Sequence, residues 1–332
     1  YILIDKNSFC GQFKKNITEF ITDNEFDNKL DCNMYYFAFK NGIYNMKNKT
    51  FRNGIYPTDY LTKTLDFDYS EERNTADMDW YKMELTKIMN NNATHLEFLL
   101  SILGQALTGD SEKYKYFYFC IGQLAGNGKS TIFSTLENIF SCYVKCVESN
   151  ILETDYSKKH KIMPSFKNNR IVYLDEMKQG KKIDSKYVKL IADGKLYENE
   201  VLFGTTNTFK IQAKAFLLLN HMTDFDAMDL GVYRRYTHLQ FDSEFDVLNK
   251  YKLKKVTDRM IEKKLALTHI LLDYAYETYI NGIPPMPIEF EEQKELMNDC
   301  NAEINEWLET IIYKDSDEKT SKQEIIDRYK SD

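Results

Sequence analysis

The chain has 332 residues, 43% hydrophobic and 29% charged, with only 13 Gly and 5 Pro, which excludes a disordered, collagen-like or low-complexity protein. Its 44 Lys and Arg stand against 51 Asp and Glu, and the net charge of −7 argues against a surface coated in positive charge for indiscriminate nucleic-acid binding. Six irregularly spaced cysteines are not the framework of a small disulfide-rich domain, and a reducing compartment is expected. Cys142 and Cys146 stand four apart with no His or second Cys pair nearby, and read as small buried residues rather than zinc ligands. No apolar run reaches the roughly 18 residues of a membrane span, and no signal-peptide pattern opens the chain. The first residue is not Met and the last residues are polar, so the sequence reads as a piece of a longer polypeptide.

From about Asp27 to Ser70 apolar and polar residues alternate around Asn41-Gly42 and Asn53-Gly54, which predicts short antiparallel strands. Helical spacing takes over from Asp77 to Leu107 and predicts two helices broken near Asn90-Asn91-Asn92. Tyr116–Ile121 reads as a strand, followed by a glycine-rich turn and a helix marked by Ile132, Leu136 and Ile139. Ile171–Leu174 and Ala215–Leu219 are dense apolar runs of the kind that form buried parallel strands. Beyond Phe241 helices dominate, and Pro284-Pro285-Met286-Pro287 breaks the chain before a final acidic helical segment.

The turn after the first parallel strand reads Gly122-Gln123-Leu124-Ala125-Gly126-Asn127-Gly128-Lys129-Ser130-Thr131. Between a strand and a helix such a loop aims backbone N–H groups at phosphate oxygens, with Lys129 on the β and γ phosphates and Ser130 on Mg²⁺. Gln123 stands where the usual motif has Gly, and Gly122 is displaced by one. About 45 residues on, a strand ends in Asp175-Glu176. Asp175 suits a Mg²⁺ shell and Glu176 suits polarising the water that attacks a γ phosphate. Asn220 ends the third strand, where an amide could orient that water. Arg234 and Arg235 precede a further alternating segment, and an arginine can stabilise a transferring phosphoryl group, in trans if subunits form a ring.

The order Gly-Asn-Gly-Lys-Ser-Thr, Leu-Asp-Glu, a β-ribbon, Leu-Leu-Leu-Asn and Arg-Arg-Tyr resembles the superfamily 3 helicases, a branch of the AAA+ ATPases. Upstream, Asn41–Met46, Tyr60–Lys63, Phe67–Tyr69 and Leu103–Gly109 look like the preface of the poxvirus-type primase-helicases of large DNA viruses. Together these segments run from about Asp27 to Phe241. The resemblance implies an α/β fold, a P-loop core with a central parallel sheet flanked by helices. It divides the chain into a β-rich then helical preface at 1–110, an ATPase core at 111–245 and a helical C-terminal segment at 246–332, in which Thr320 to Asp332 would begin a further domain.

The resemblance also implies ATP, or another NTP, held by Gln123, Gly126, Asn127, Gly128, Lys129, Ser130 and Thr131. Mg²⁺ would be held through Ser130 and Asp175. Glu176 would activate water, Asn220 would act as sensor, and Arg235, with Arg234 second, would reach a neighbour's site. A DNA-gripping hairpin is expected at about Glu198 to Ile211. Its tip, Phe203 to Thr208, lacks basic residues, so Lys195, Lys210 and Lys214 are the expected DNA contacts, with Asn207. Phe203 or Phe209 could stack on bases, although an aromatic in a strand reads first as packing. The implied partners are single-stranded or forked DNA, further copies in a homo-hexameric ring, and an N-terminal primase region of the same polypeptide. No membrane is implied, and the implied location is the host cytoplasm. Two other readings of the phosphate loop stay open: a small-molecule phosphotransferase, and a non-catalytic nucleotide-binding ring or scaffold. Between Lys158 and Lys195 there are 11 Lys and Arg and 4 Asp and Glu, a local balance of +7 that reads either as a solvated lysine-rich face or as charge beside a DNA channel.

Overall fold

A computed structural model describes residues 26–123, 126–199, 207–245 and 250–297, with the isolated positions 324 and 328. After a single helical turn at Phe26–Lys29 come three short antiparallel strands, β1 (Tyr36–Phe39), β2 (Gly42–Asn45) and β3 (Thr50–Asn53), in the order β1-β2-β3. Two helices follow, α1 (Thr75–Ile88) and α2 (Ala93–Thr108). The break between them falls where the asparagines predict it. Asn90 and Asn91 take φ of 52° and 56°, a left-handed conformation that asparagine tolerates better than most residues. The Asn92 side chain then accepts from the backbone N–H groups of Thr94 and His95 and starts α2.

The chain next builds a five-stranded sheet from β4 (Phe117–Ile121), β5 (Val144–Val147), β6 (Ile171–Leu174), β9 (Lys214–Leu219) and β10 (Tyr236–Gln240). Its order is β10-β4-β9-β6-β5, and every neighbouring pair is parallel. Helix α3 (Lys129–Ile139) follows β4, α4 (Ser185–Asp193) follows β6, and the short α5 (Leu230–Arg235) leads into β10. Successive side chains of a strand face opposite sides, and both sides are buried here, which is why these strands read as unbroken apolar runs. Tyr118, Cys120, Phe216 and Leu218 pack on one face, with α2 and the first small sheet. Phe117, Phe119, Ile121, Leu217 and Leu219 pack on the other, with α4.

Between α4 and β9 a separate antiparallel ribbon forms from β7 (Leu196–Asn199) and β8 (Asn207–Lys210), with Leu196 opposite Lys210 and Asn199 opposite Asn207. The ribbon overlaps the segment, about Glu198 to Ile211, where a hairpin is expected. Two further helices, α6 (Lys250–Glu262) and α7 (Lys264–Asn281), follow the sheet, and residues 288–297 are helical. α7 returns to pack along α2, so Leu267, Ile270 and Leu271 share one apolar core with Leu99, Leu103 and the first small sheet. The segments 1–110 and 246–332 are therefore not separate bodies over the described residues, because the C-terminal helix completes the core of the preface. Arg170 ties the preface to the sheet. Fully buried, it donates to the carbonyls of Thr108, Met34 (2.5 Å) and Tyr36 (3.3 Å), and its guanidinium lies 5.6 Å from the Tyr143 ring centre. The fold expected from the sequence, an α/β core with a central parallel sheet flanked by helices, is the fold observed.

Candidate nucleotide site and hairpin

β4, β9 and β6 are neighbours, and each ends in a residue singled out from the sequence. Ile121 lies opposite Leu219, and Leu217 opposite Leu174, so Gly122, Asn220 and the Asp175-Glu176 pair emerge together at one edge of the sheet. The carboxyl edge of a parallel sheet is where α/β proteins hold ligands. The loop after β4 supplies the other half of the site. Gly126 and Gly128 have φ of +79° and +88°, which side chains with a Cβ rarely adopt, and these turns set Lys129 at the first position of α3. No side chain caps α3, so its first N–H groups are available to an anion at the positive end of the helix.

The displaced glycine has a steric reason. A Cβ at Gly122 would come within 2.3 Å of both the Asn127 side-chain nitrogen and the Phe241 carbonyl oxygen. Asn127 Nδ2 donates to Gly122 O at 3.1 Å, folding the loop back on the strand end, while Gln123 lies exposed at the rim.

Lys129 is buried, and its ammonium donates to Gly122 O at 3.0 Å and lies 3.5 Å from Asn220 Oδ1. Asn220 Nδ2 donates to Glu176 Oε2 at 2.8 Å. The three side chains form one line, Lys129–Asn220–Glu176, with the amide facing a cation by its oxygen and a carboxylate by its N–H. Burial pushes the Lys129 pKa below the ordinary lysine value, against a smaller opposing effect from Cys120 and Glu176. A phosphate placed here would add a counter-charge that favours the charged form of the lysine.

Asp175 and Glu176 are exposed, as is Ser130. Cys146 Sγ donates to Asp175 Oδ2 at 3.6 Å, a contact the sequence reading missed; burial, then Asp175, push this thiol up to about 11, so it stays protonated at neutral pH. A groove of about 770 Å³ lined by Glu176, Lys178, Lys182, His221 and Thr223 opens beside the pair. Among the described residues no cluster of three or more His, Cys, Asp or Glu could hold a metal by itself. A hydroxyl and a carboxylate beside a phosphate cradle suit Mg²⁺, which keeps water and phosphate oxygens as its other ligands.

The remaining predicted residues lie elsewhere. Tyr236, just after Arg235, pairs with Phe117 at the start of β4, whereas the phosphate loop leaves β4 beyond Ile121, level with Gln240. Four strand steps at about 3.3 Å separate the two edges by roughly 13 Å. Arg235 is thus at the opposite edge of the sheet from the phosphate loop. Arg234 beside it is exposed. On the hairpin, Lys195 is exposed, and Lys210 Nζ donates to Glu112 at 2.8 Å. Asn207 opens β8, and Phe203 lies outside the described residues. Phe209 is buried against Tyr197, with ring centres 5.6 Å apart, so it packs rather than waiting for a base.

Lys214 corrects an expectation. As the first residue of β9 it is 1% exposed and donates to the carbonyls of Ser111 (2.5 Å) and Tyr114, and burial lowers its pKa to about 7. Such a side chain cannot reach DNA. The lysine-rich stretch is also less positive in space than in sequence, because carboxylates from outside it meet its cations. Lys181 pairs with Asp155 at 2.5 Å and Lys189 with Asp229 at 2.7 Å.

Comparison with known proteins gives a match to the family described as D5 N terminal like over residues 6–104. "Putative helicase V13" of Sputnik virophage is 26% identical over 329 residues, covering 89% of this chain and 41% of that protein. "Putative helicase L207/L206" of Acanthamoeba polyphaga mimivirus is 26% identical over 274 residues, covering 81% of this chain and 28% of that protein. The chain therefore spans less than half the length of either relative. Among solved structures, the apo A form of the NrS-1 C-terminal region aligns over 69% of this chain and 54% of that one at 14% identity, with a TM-score of 0.48. The JCV helicase aligns over 62% and 67% at 9% identity, with a TM-score of 0.35. At such scores the fold rests on its own strand order and connections. The family match, which begins in the preface and ends in α2, and the two viral relatives agree with the resemblance read from the sequence: this chain is similar to the D5 N terminal like family over 6–104 and, over most of its length, to two viral proteins named as putative helicases.

Proposed function

We propose that this chain is the motor part of a viral helicase, hydrolysing ATP with Mg²⁺ and moving along single-stranded DNA as a ring, six subunits being the implied number. The observation that carries the proposal is the Lys129–Asn220–Glu176 line at the carboxyl ends of three adjacent parallel strands. A phosphate cradle alone serves many reactions, but a carboxylate oriented by an amide beside the lysine suits activation of water.

In this reading the N–H groups opening α3 and the Lys129 ammonium hold the β and γ phosphates. Ser130 and Asp175 would hold Mg²⁺, which would draw charge from the phosphate oxygens. Glu176 takes a proton from the attacking water, and Asn220 fixes the carboxylate through its Oε2. Arg235 stands too far from its own loop to serve it, so its phosphate is that of an adjacent subunit. This geometry supports a ring and gives one site a way to sense the next. No helix among the described residues is long and apolar enough to cross a membrane.

The test is steady-state ATP hydrolysis with and without single-stranded DNA. Glu176→Gln should bind ATP and abolish turnover, while Lys129→Ala should lose both. Full turnover in either variant would end this reading. Turnover that depends on a small-molecule acceptor would favour a phosphotransferase, and nucleotide binding without turnover in the parent would favour a scaffold.

A further inference from the structure

At the edge remote from the phosphate loop Arg235 is already engaged. Its Nε donates to Asp193 Oδ1 at 2.7 Å, its Nη2 lies 2.6 Å from the same oxygen, and Nη1 donates to Gly231 O at 2.7 Å. The two side chains are only 20% and 13% exposed. Asp193 is the last residue of α4, where the helix carbonyls disfavour a carboxylate, so cations must hold it. One is Arg235. The other is Lys195, whose ammonium stands 3.7 Å from Oδ2.

Lys195 lies at the base of the hairpin, one residue before β7, and its carbonyl accepts from Ile211 N–H on the returning side. A single carboxylate therefore joins the arginine at the subunit border to the root of the ribbon assigned to DNA. The guanidinium edge that Asp193 occupies, Nε with Nη2, is the edge a phosphate oxygen would need.

We propose that Asp193 is a positioning residue that parks Arg235 when no phosphate lies across the border, and turns to Lys195 when Arg235 leaves for the neighbour's nucleotide. The exchange passes the nucleotide state of one subunit to the hairpin of the next. It rests on the reading of Arg235 as acting in trans. Losing Arg235 leaves a carboxylate at a helix C-terminus with Lys195, in a long ion pair of 3.7 Å, as its remaining cation, so the pull on Lys195, and through it on the hairpin root, strengthens as the arginine departs.

Asp193→Asn keeps the shape and removes the charge. Measured on the assembled protein with single-stranded oligothymidine, it should raise DNA-free kcat about fivefold, leave the KM for ATP unchanged and lower the DNA stimulation by a similar factor. Asp193→Glu should restore the parent's DNA dependence, which a merely structural role would not require. An unchanged stimulation ratio in Asp193→Asn would overturn the proposal, as would a loss of turnover as complete as that of Arg235→Ala. Parent-level turnover in Arg235→Ala would instead remove the trans reading itself, so the two failures are read on different variants. Melting temperature and particle size, measured for each variant, keep folding and assembly apart from the effect on turnover.

Discussion

Replacing Asn220 with Ala tests the central geometry of the site. The side chain gives Glu176 a hydrogen bond of 2.8 Å and faces Lys129 across a longer 3.5 Å contact. A hydrogen bond to an ionised group contributes about 1.5–3 kcal/mol, and the longer contact adds less. If this energy acts where Glu176 takes the proton from water, kcat should fall by about 10- to 150-fold, at tenfold for each 1.36 kcal/mol. The KM for ATP should stay within about threefold, because the loop, Lys129 and the helix N-terminus are untouched. Asn220→Asp sharpens the test, since it sets a second carboxylate against Glu176. Like charges at that distance raise the pKa of the pair, so the acid limb of the kcat profile should move to higher pH. The assay is phosphate release at saturating ATP from pH 5 to 9. A kcat for Asn220→Ala within threefold of the parent, or a loss confined to KM, would refute the line Lys129–Asn220–Glu176 as the working arrangement.

Arg170→Ala should destabilise the protein by about 3–5 kcal/mol, because one buried and two partly buried carbonyls lose their donor and a cavity opens at the seam between preface and sheet; urea unfolding monitored by tryptophan fluorescence measures this, and a loss below about 0.5 kcal/mol would show that the clasp contributes little. Lys214 has a folded-state pKa of about 7, below the ordinary value of 10.5, so between these limits the unfolded chain binds more protons and stability should rise with pH; Lys214→Met should flatten the rise between pH 7 and 10, and an equal slope in both proteins would contradict the burial argument. Lys195→Ala should weaken DNA binding equally across sequences and reduce the slope of log affinity against log salt by about one, measured by fluorescence anisotropy from 50 to 300 mM salt; an unchanged slope would remove Lys195 from the phosphate contacts.

The amino-acid sequence by itself determined much of the core. Apolar runs ending in Gly122, Asp175 and Asn220 were legible because parallel strands buried on both faces leave no polar alternation, and because a phosphate loop needs glycine at left-handed positions such as Gly128. The break at Asn90-Asn91 was legible for the same local reason: it depends on the conformations a residue tolerates, not on its neighbours in space. What only the tertiary structure decided involves partners far apart in the chain. Lys214 reads in sequence as one more cation beside the hairpin, yet the carbonyls of Ser111 and Tyr114 draw it into the interior. Asp193 reads as an ordinary acidic residue before a helix-ending glycine, and gains meaning only because α5 brings Arg235 to it across 42 residues. The C-terminal helices read as a separate segment, but α7 completes the core beside α2. Local rules of period, turn and cap act within a few residues and can be read along the chain. Burial and charge pairing depend on which distant segments the sheet order sets side by side, and no linear pattern states that order.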